Sequence, residues 1–232
     1  MSLSEMSVGI SRPVPHLSDQ ELADLNEEFE LLPAGKIVQW ARDTFGSRLC
    51  LAASMQDAVL IDVATKVDPG IEVVFVDTGY HVPETLETLD RVARRYDLNV
   101  NVVRNPEPLD DLWMEDPDAC CEARKVKPLE DALAGRAAWM SGLRRAESAT
   151  RANAPIVSRD KRGLVKINPL ANWDDLDIEG YVADHDVVVN PLLSQGYTSI
   201  GCWPCTRAVK PGEDPRAGRW TGFSKTECGL HD

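Results

Sequence analysis

The sequence predicts an α/β fold: an open, mostly parallel sheet with helices on both faces, followed by an irregular C-terminal tail. Short apolar runs typical of buried strands alternate with longer segments whose apolar residues recur at helical spacing. Strands that alternate with helices form parallel sheets whose two faces are both covered. A length of 232 residues is enough for one domain of this kind with a sizeable core.

The first predicted element is a helix over residues 19–32. Leu22, Leu25 and Phe29 recur at helical spacing there. Ser18 stands where an N-cap is needed. Further helices are predicted over residues 34–45, 57–67, 83–96 and 173–184. Strands are predicted over residues 48–53, 72–76, 99–103, 139–143 and 165–167.

The two ends of the chain lack this alternation. Residues 1–15 combine serine and proline with little periodicity, and they are predicted to be a mobile leader. Residues 16–210 are predicted to form a single α/β domain. Glycine and proline punctuate the chain beyond Pro191, and residues 211–232 are predicted to be a mobile tail.

The composition is that of an ordinary soluble protein, with 43% hydrophobic and 27% charged residues. No apolar run approaches the roughly 20 residues that cross a bilayer, and the first residues lack a signal-peptide pattern. We therefore expect a cytoplasmic protein without membrane contacts. A formal net charge of −13 argues against nucleic acid as a partner, because a polyanion would be repelled.

Polar residues follow the first two predicted strands. In open parallel sheets, ligands bind at the carboxyl ends of strands, where helix N-termini offer N–H groups to anions. The residues at these positions are Ser54, Gln56 and Asp57 after the first strand, and Asp77, Thr78 and Gly79 after the second. The absence of GxGxxG and Walker A sequences argues against a dinucleotide site and an ordinary nucleotide triphosphatase. Spacing alone leaves helix capping by Ser54 and Asp57 as an equal alternative to ligand binding.

Four of the six cysteines form two close pairs, as a metal centre requires. The pairs are Cys120-Cys121 and Cys202-Trp203-Pro204-Cys205. In extended backbone, adjacent side chains point to opposite sides, so Cys120 and Cys121 would reach one zinc ion only with strain. Two separate irons of a cubane are easier for them to reach, which favours a [4Fe–4S] cluster over zinc. Zinc and a reversible disulfide remain open on these residues alone.

The other two cysteines differ in their surroundings. Cys50 lies in a short apolar run and is predicted to be a buried small side chain. Cys228 lies four residues before the end of the chain, on a segment too short to be a core element. Packing alone does not explain a cysteine there. In a reducing compartment, such residues more often do redox or metal chemistry than form structural disulfides.

Several separated motifs together resemble one family, the assimilatory adenylylsulfate reductases, which are the iron–sulfur branch of the sulfonucleotide reductases. The matching stretches are residues 120–129, 142–145, 201–205 and 225–231. Residues 52–60 and 76–81 resemble two nucleotide-binding loops of the adenine-nucleotide α-hydrolase-like fold. The first loop lacks the glycines of the common SGGxDS form, which argues against ATP cleavage.

The resemblance also implies a thioredoxin-dependent reduction of adenylylsulfate in assimilatory sulfate reduction. Cys228 attacks the sulfur of adenylylsulfate, AMP leaves, and an S-sulfocysteine remains on the enzyme. Thioredoxin then releases sulfite and restores the thiol. A [4Fe–4S] cluster is implied on Cys120, Cys121, Cys202 and Cys205. Because the displacement needs no electron from it, we expect a structural or electrostatic role for the cluster.

A thiolate that approaches a sulfate attached to a phosphate meets strong repulsion. At about 4 Å, two unit charges repel by roughly 4 kcal/mol at an effective dielectric near 20, which slows a reaction roughly a thousandfold. Cations are therefore expected around the substrate. The expected cations are Lys125, Arg144, Arg145, Arg216, Arg219 and His231. Because Cys228 must meet first a bound nucleotide and then a protein reductant, residues 211–232 are expected to act as a mobile catalytic lid.

Three alternatives remain. A 3′-phosphoadenylylsulfate reductase shares the cysteine tail but typically lacks the two cysteine pairs. A non-catalytic iron–sulfur or zinc redox sensor would leave the isolated Cys228 unexplained. An RNA-thiolating enzyme of the same fold conflicts with the acidic composition and the altered first loop. The sequence does not fix the oligomeric state, and a homo-oligomer is compatible with it.

Overall fold

The structure, a computed structural model, describes residues 16–230. The predicted leader, residues 1–15, and the predicted substrate contact His231 lie outside the described residues. The helices are α1 (Asp19–Phe29), α2 (Ala34–Phe45), α3 (Val59–Val67), α4 (Pro83–Tyr96), α5 (Leu112–Glu115), α6 (Pro117–Cys121), α7 (Lys127–Leu133) and α8 (Asp175–His185). The strands are β1 (Leu49–Ala52), β2 (Glu72–Val76), β3 (Asn99–Val103), β4 (Ala138–Ser141), β5 (Val157–Arg159) and β6 (Val165–Ile167). Within the described range, no helix is both long and apolar enough to cross a bilayer.

The strands form a six-stranded sheet in the order β3-β2-β1-β4-β6-β5. Among the described strands, β5 pairs with β6 in antiparallel fashion, and the other neighbouring pairs are parallel. This confirms the predicted mostly parallel α/β sheet. The chain runs from β1 outward to β2 and β3, and then returns to β4 on the other side of β1. The carboxyl ends of β1 and β4 therefore border the crevice where such sheets bind ligands.

Alternate residues of the central strands enter two separate cores, as the period of a strand requires. Leu49 and Leu51 of β1 face the larger core, to which α1, α2, α3, α4 and α8 contribute. Cys50 faces the smaller core, together with Leu129 of α7 and Leu230 of the tail. Helices thus cover both faces of the sheet, as predicted, but α7 covers its face with the help of the tail.

Cys50 is expected to resist alkylation in the folded protein. Burial raises the pKa of its thiol to about 12, because the thiolate would lose its hydration in an apolar core. At pH 8.5 the reactive thiolate fraction is then below about 0.1%. Iodoacetamide labelling followed by mass spectrometry should modify Cys50 only after unfolding in guanidinium. Equal labelling rates of Cys50 in folded and unfolded protein would contradict this burial.

Several predicted boundaries were wrong by a few residues. Helix α1 ends at Phe29, short of its predicted end, because Pro33 disfavours helical backbone in the residue before it. Helix α3 begins at Val59, because Asp57 instead pairs with Val189 in an isolated β-bridge. The observed ends of β4 and α8 also differ from the predicted ranges by one or two residues. None of these shifts changes the order of the elements.

Two parts of the fold were not predicted. Strand β5 joins β6 through a tight turn, in which the N–H of Asp160 donates to the carbonyl of Leu164 at 2.9 Å. Its few residues are too short to show an alternating pattern. The other part is the segment of helices α5, α6 and α7, of which the last two are joined by a π-helical turn, Glu122–Val126. Pro128 has no N–H to donate to the carbonyl of Arg124, which accounts for the wider turn.

Helix α1 is bound to the outer edge of β5. The side-chain Nδ2 of Asn26 donates to the carbonyl of Val157 at 2.6 Å. Its Oδ1 accepts hydrogen bonds from the N–H groups of Ile156 and Val157 at 2.8 and 3.0 Å. Arg145, beyond β4, adds two bonds to Glu30 at the end of the helix. Polar contacts therefore hold α1 against the sheet, in addition to the packing of its apolar face in the larger core.

Candidate active site

The loop after β1 carries Ser54, Gln56 and Asp57. Ser54 is exposed. The Oε1 of Gln56 accepts a hydrogen bond from the N–H of Ile200 at 3.0 Å, which ties this loop to the segment beyond α8. The Asp57 carboxylate accepts a hydrogen bond from the N–H of Val59 at 3.0 Å, and burial raises its pKa. Asp57 thus helps to cap α3, and Ser54 is open to solvent at the strand end.

The loop after β2 carries Asp77, Thr78 and Gly79. The Asp77 carboxylate accepts hydrogen bonds from the N–H of Gly79 at 2.8 Å and from the Nε of Arg104 at 3.0 Å. Burial alone would raise the pKa of Asp77, but these two donors outweigh it and the pKa is lowered. Gly79 adopts a φ of 77°, a conformation that favours glycine. The Asp77 carboxylate therefore shapes the turn.

One cavity brings the four predicted metal ligands together. Cys120, Cys121, Cys202 and Cys205 all line it, and all four are free thiols. Burial, reinforced by the neighbouring thiols, raises the pKa of Cys120 to about 11. Four thiolates without a metal ion would be unfavourable in this buried cavity, because no opposite charge would compensate the loss of hydration. The thiolate form therefore needs a metal centre or nearby cations.

Cys120 and Cys121 lie at the end of α6 and not in extended backbone. Asp116 caps this helix by accepting hydrogen bonds from the N–H groups of Asp118 and Ala119 at 3.0 and 2.9 Å. Successive helical positions are only about 100° apart, so both thiols reach the same cavity. The premise that these side chains point to opposite sides was wrong. The backbone geometry of this pair therefore does not favour a cluster over zinc.

The second cysteine pair is held against the loop after β2. The N–H of Trp203 donates to the carbonyl of Tyr80 at 2.8 Å. The thiol of Cys202 donates to the Oγ1 of Thr78 at 3.3 Å. His81 and Cys202 also form an antiparallel β-bridge. The cysteine loop and the predicted nucleotide loop are therefore joined by backbone and side-chain bonds.

Lys125 lines the same cavity and is half-buried. Burial alone would lower the pKa of its ammonium, but the thiols of Cys202, Cys228 and Cys121 outweigh burial, and the pKa is raised. In the described part of the chain, no carboxylate pairs with Lys125. Lys125 thus supplies positive charge to both the cysteine cavity and Cys228.

The donor set suits a thiolate-bound metal centre. The described lining of the cavity holds the four thiols with the cations Arg124 and Lys125, and it includes no carboxylate. Thiolates are the ligands of iron–sulfur clusters and of many zinc sites. Within residues 16–230, the thiols line the cavity without closing around a single-ion position. These cysteines are the residues that would hold a metal centre here.

Cys228 lies half-buried on the tail. It lines an open cavity of about 390 Å³ together with Lys225. Between Pro211 and Leu230, the tail forms turns instead of long helices or strands. An ion pair from Lys225 to Asp118 of α6 and packing of Leu230 in the smaller core hold it against the domain. The tail is therefore folded over the site in this structure.

Arg144 and Arg145 follow β4, and both guanidiniums are already paired. Arg144 donates to Asp175 of α8 at 2.9 Å. Arg145 donates to Glu30 and to the carbonyl of Ala154, the latter at 2.8 Å. A substrate would have to displace these partners. Substrate contacts of the two arginines therefore stay predictions, and their observed contacts anchor α8 and α1 to the end of β4.

Arg216 and Arg219 lie in the first half of the tail, and both lie over the ring of Trp220. Their guanidinium carbons are 5.8 and 4.4 Å from the ring centre. Arg219 donates to the Oγ of Ser199 at 3.1 Å. It also lies against Gly201, where any side chain would strike the guanidinium. Arg219 is thereby held beside the loop that carries the second cysteine pair.

Replacing Gly218 with alanine is expected to destabilise the first half of the tail. The added methyl group would overlap the carbonyl oxygen of Arg207, whose N–H donates back to Gly218 at 2.9 Å. Because backbone cannot move aside easily, the free energy of unfolding should fall by about 2 kcal/mol. Anaerobic thermal unfolding should show Tm lowered by about 4–8 °C. The control Gly180→Ala has open space in α8 and should not lower Tm. Equal losses in both variants would contradict the overlap.

Sequence reasoning missed three arginines that the structure brings to the site. Arg104 holds Asp77, and Arg124 donates to the carbonyl of Pro108 at the loop before α5. Arg151 donates to Glu227 of the tail at 2.7 Å. Arg104 and Arg151 lie 27 and 76 residues from their partners, so no local pattern identifies the pairs.

Comparisons with known proteins cover most of the chain. Residues 48–208 match the family described as "Phosphoadenosine phosphosulfate reductase domain". An adenosine 5′-phosphosulfate reductase of Streptomyces coelicolor is 53% identical, over 88% of this chain and 90% of that protein. A protein of the same name from Mycolicibacterium smegmatis is 49% identical, over 91% and 90% of the two chains.

A solved structure has a similar fold. The phosphoadenylyl-sulfate reductase of Candida auris, solved as a phosphate complex, superposes with a TM-score of 0.74 and 26% sequence identity. The match covers 84% of this chain and 100% of that one. The family match over residues 48–208 includes both strand-end loops and both cysteine pairs.

Proposed function

Because the chain belongs to the phosphoadenosine phosphosulfate reductase family, we propose that it reduces adenosine 5′-phosphosulfate to sulfite and AMP in assimilatory sulfate reduction. The observation that carries the proposal is the position of Cys228, which lines an open cavity together with Ala119 and Glu122, the residues on either side of the pair Cys120-Cys121. We assign the reaction to the cytoplasm, where reducing conditions keep free cysteines as thiols.

The reaction divides into two displacements at sulfur. In the first, the Cys228 thiolate forms a bond to the sulfur of the sulfate group, and the bond from that sulfur to the phosphate oxygen breaks. AMP leaves with the electron pair, and an S-sulfocysteine remains. In the second, a thiolate of thioredoxin attacks the Cys228 sulfur and sulfite leaves. The second thioredoxin thiol then resolves the mixed disulfide, so the dithiol supplies both electrons.

Cations support the first displacement. Lys125, which has no carboxylate partner among residues 16–230, carries a positive charge that interacts with Cys228, and Arg219 lies beside the loop of the second cysteine pair. A guanidinium can bind two oxygens of a phosphate or sulfate at once, whereas an ammonium acts as a compact point charge. In our proposal, Lys125 screens the thiolate from the phosphosulfate, and Arg219 orients an oxygen of the leaving group.

We further propose that Cys120, Cys121, Cys202 and Cys205 hold a [4Fe–4S] cluster. Thiolate donors in one cavity and the absence of carboxylates among its described lining residues support this assignment. When bound, such a cluster would supply electrostatic tuning of the site, because both displacements balance without further electrons. The residues of this chain bind and orient the substrate independently of that role.

The cluster assignment predicts a coloured protein. Anaerobically purified protein should be brown and contain about four irons and four sulfides per chain. Cys202→Ser should lose most of the iron, because one of four anchoring thiolates is missing. Cys228→Ser is the control and should keep iron and colour, since Cys228 is not among the four ligands. A colourless zinc protein, or iron retained in Cys202→Ser, would contradict the assignment.

The substrate is tested by assaying sulfite release with thioredoxin as reductant. Adenylylsulfate should be preferred over 3′-phosphoadenylylsulfate by on the order of 100-fold in kcat/KM. The reason is that Arg104, Arg144 and Arg145 already hold carboxylates and cannot readily compensate an added phosphate. The second candidate, a 3′-phosphoadenylylsulfate reductase, is favoured by the family description and requires the opposite preference.

We also propose that residues 211–232 form a mobile catalytic tail. Cys228 must face the nucleotide in one step and thioredoxin in the next, and a fixed thiol can hardly meet both. The absence of long helices or strands in the described part of the tail supports this view. AMP should slow proteolysis of the tail by favouring its closed position. Equal cleavage rates with and without AMP would speak against it.

A further inference from the structure

The residue directly before Cys228 is bound mainly by the segment that follows β4. The Glu227 carboxylate accepts a hydrogen bond from the Oγ1 of Thr150 at 3.0 Å. It also accepts hydrogen bonds from the Nε and Nη2 of Arg151 at 2.9 and 2.7 Å, and from the Nη2 of Arg216 at 3.1 Å. The Glu227 side chain is 20% exposed, and those of Arg151 and Arg216 are 11% and 12% exposed. These charge-assisted bonds are therefore largely shielded from water.

Of the two arginines that hold Glu227, Arg151 lies outside the tail and is itself fixed, whereas Arg216 belongs to the tail. Arg151 ends the short helical turn Ala149–Arg151 and pairs with Glu147, which belongs to the preceding turn after β4. Arg216 also donates to the carbonyl of Thr226 at 3.0 Å. Two successive residues before the nucleophile are thus bound, one through its side chain and one through its backbone. The contact connects the tail to the ligand-binding edge of the sheet.

Beyond the nucleophile, the tail has an anchor of a different kind. Leu230 packs in the smaller core next to Cys50. Cys228 therefore lies between a charged anchor at Glu227 and an apolar anchor at Leu230. The charged anchor is the directional one, because ion pairs with planar guanidiniums fix orientation, whereas apolar packing tolerates small shifts.

Glu227 also separates two like charges. Burial, and next the charge of Arg151, lower the pKa of Arg216. Burial alone would raise the pKa of Glu227, but Arg151 and Arg216 outweigh it and the pKa is lowered. Removing the carboxylate would leave two shielded guanidiniums facing each other, an arrangement that disfavours the closed tail.

We propose, on the basis of the proposed function, that Glu227 is a positioning residue that holds the Cys228 thiol at the substrate through its ion pairs with Arg151 and Arg216. Glu227 acts on the attack step through the tail backbone. Its loss should slow formation of the S-sulfocysteine. The later reduction by thioredoxin should be unimpaired, because that step needs the tail to leave the site.

The test compares Glu227→Gln with Glu213→Gln in the iron-loaded protein. Glu213 is a matched control, a carboxylate before the tail's end that pairs with Arg207. In Glu227→Gln, S-sulfocysteine formation in a single turnover should be about 30-fold slower. Hydrogen exchange of the tail without substrate should be about tenfold faster. Sulfite release from the preformed adduct by thioredoxin should stay within about twofold. Glu213→Gln should match the unmodified protein in all three measurements.

A double-mutant cycle with Arg151→Gln tests the contact itself. If Glu227 acts through Arg151, the double variant should be no slower in adduct formation than Glu227→Gln alone. Unchanged tail exchange in Glu227→Gln, or effects of the two substitutions that multiply, would overturn the proposal. Absence of any adduct in the unmodified protein would overturn the proposed function instead, and tail exchange would still decide whether Glu227 holds the tail.

Discussion

Replacing Cys228 with serine is expected to abolish sulfite formation, lowering kcat/KM roughly 10⁴-fold or more. A free thiol has a pKa near 8.5, so a few per cent is ionised at neutral pH, whereas a serine hydroxyl stays protonated and is a far weaker nucleophile. The exchange changes one atom of a half-buried side chain, so the fold should be unaffected. The assay is sulfite release with adenylylsulfate and thioredoxin under anaerobic conditions.

Mass spectrometry of the C-terminal peptide provides the matching observation. After a single turnover without thioredoxin, the unmodified protein should carry a sulfonate on Cys228, and Cys228→Ser should carry none. Measurable turnover in the serine variant would contradict nucleophilic attack by this residue. The same variant distinguishes an enzyme from a redox sensor, because a non-catalytic sensor should keep its response without Cys228.

Replacing Lys125 with alanine is expected to lower kcat/KM about a thousandfold. The ammonium is half-buried, carries no carboxylate partner among residues 16–230, and interacts with Cys228. A unit charge at about 4 Å contributes roughly 4 kcal/mol at an effective dielectric near 20, which corresponds to about three orders of magnitude in rate. Single-turnover formation of the S-sulfocysteine measures this step directly.

Lys127→Ala is the matched control, because Lys127 lies two residues further along and is exposed. Its removal should change the rate by less than about threefold, since solvent screens surface charge. Equal effects of the two substitutions would mean that Lys125 acts through the net charge of the protein. Iron content should be measured in both variants, because Lys125 also lines the cysteine cavity.

Strong periodic signals predicted some elements correctly over their full length. Helix α4 and strand β3 run over Pro83–Tyr96 and Asn99–Val103, as expected, because both segments carry their pattern over their full length. The segment from α5 to α7 could not be predicted in the same way. Its helices are short, and the π-helical turn Glu122–Val126 interrupts any regular period. Strand β5 is defined by its hydrogen bonds to β6 and to Asn26, because its own short sequence shows no strand pattern.

The candidate site shows the same division. The two cysteine pairs were predicted to share one metal site from their residue type together with the family resemblance, and they line one cavity. Long-range ion pairs were beyond reach of sequence reasoning, since Glu227 gives no local sign that Arg151 is its partner. Arg145 was expected near the substrate for its charge alone, and the structure shows that charge directed to Glu30. Residue type predicted the chemistry, whereas only folding determines which charges remain free.

The amide of Asn26 does for β5 what a neighbouring strand would do, because it satisfies backbone donors and an acceptor along that border of the sheet. Unpaired borders invite strands from other molecules and thereby aggregation. Helix α1, to which Asn26 belongs, covers this side of the sheet. At the far border, β3 exposes Val102. Any association of copies by strand addition is accordingly directed to the β3 side.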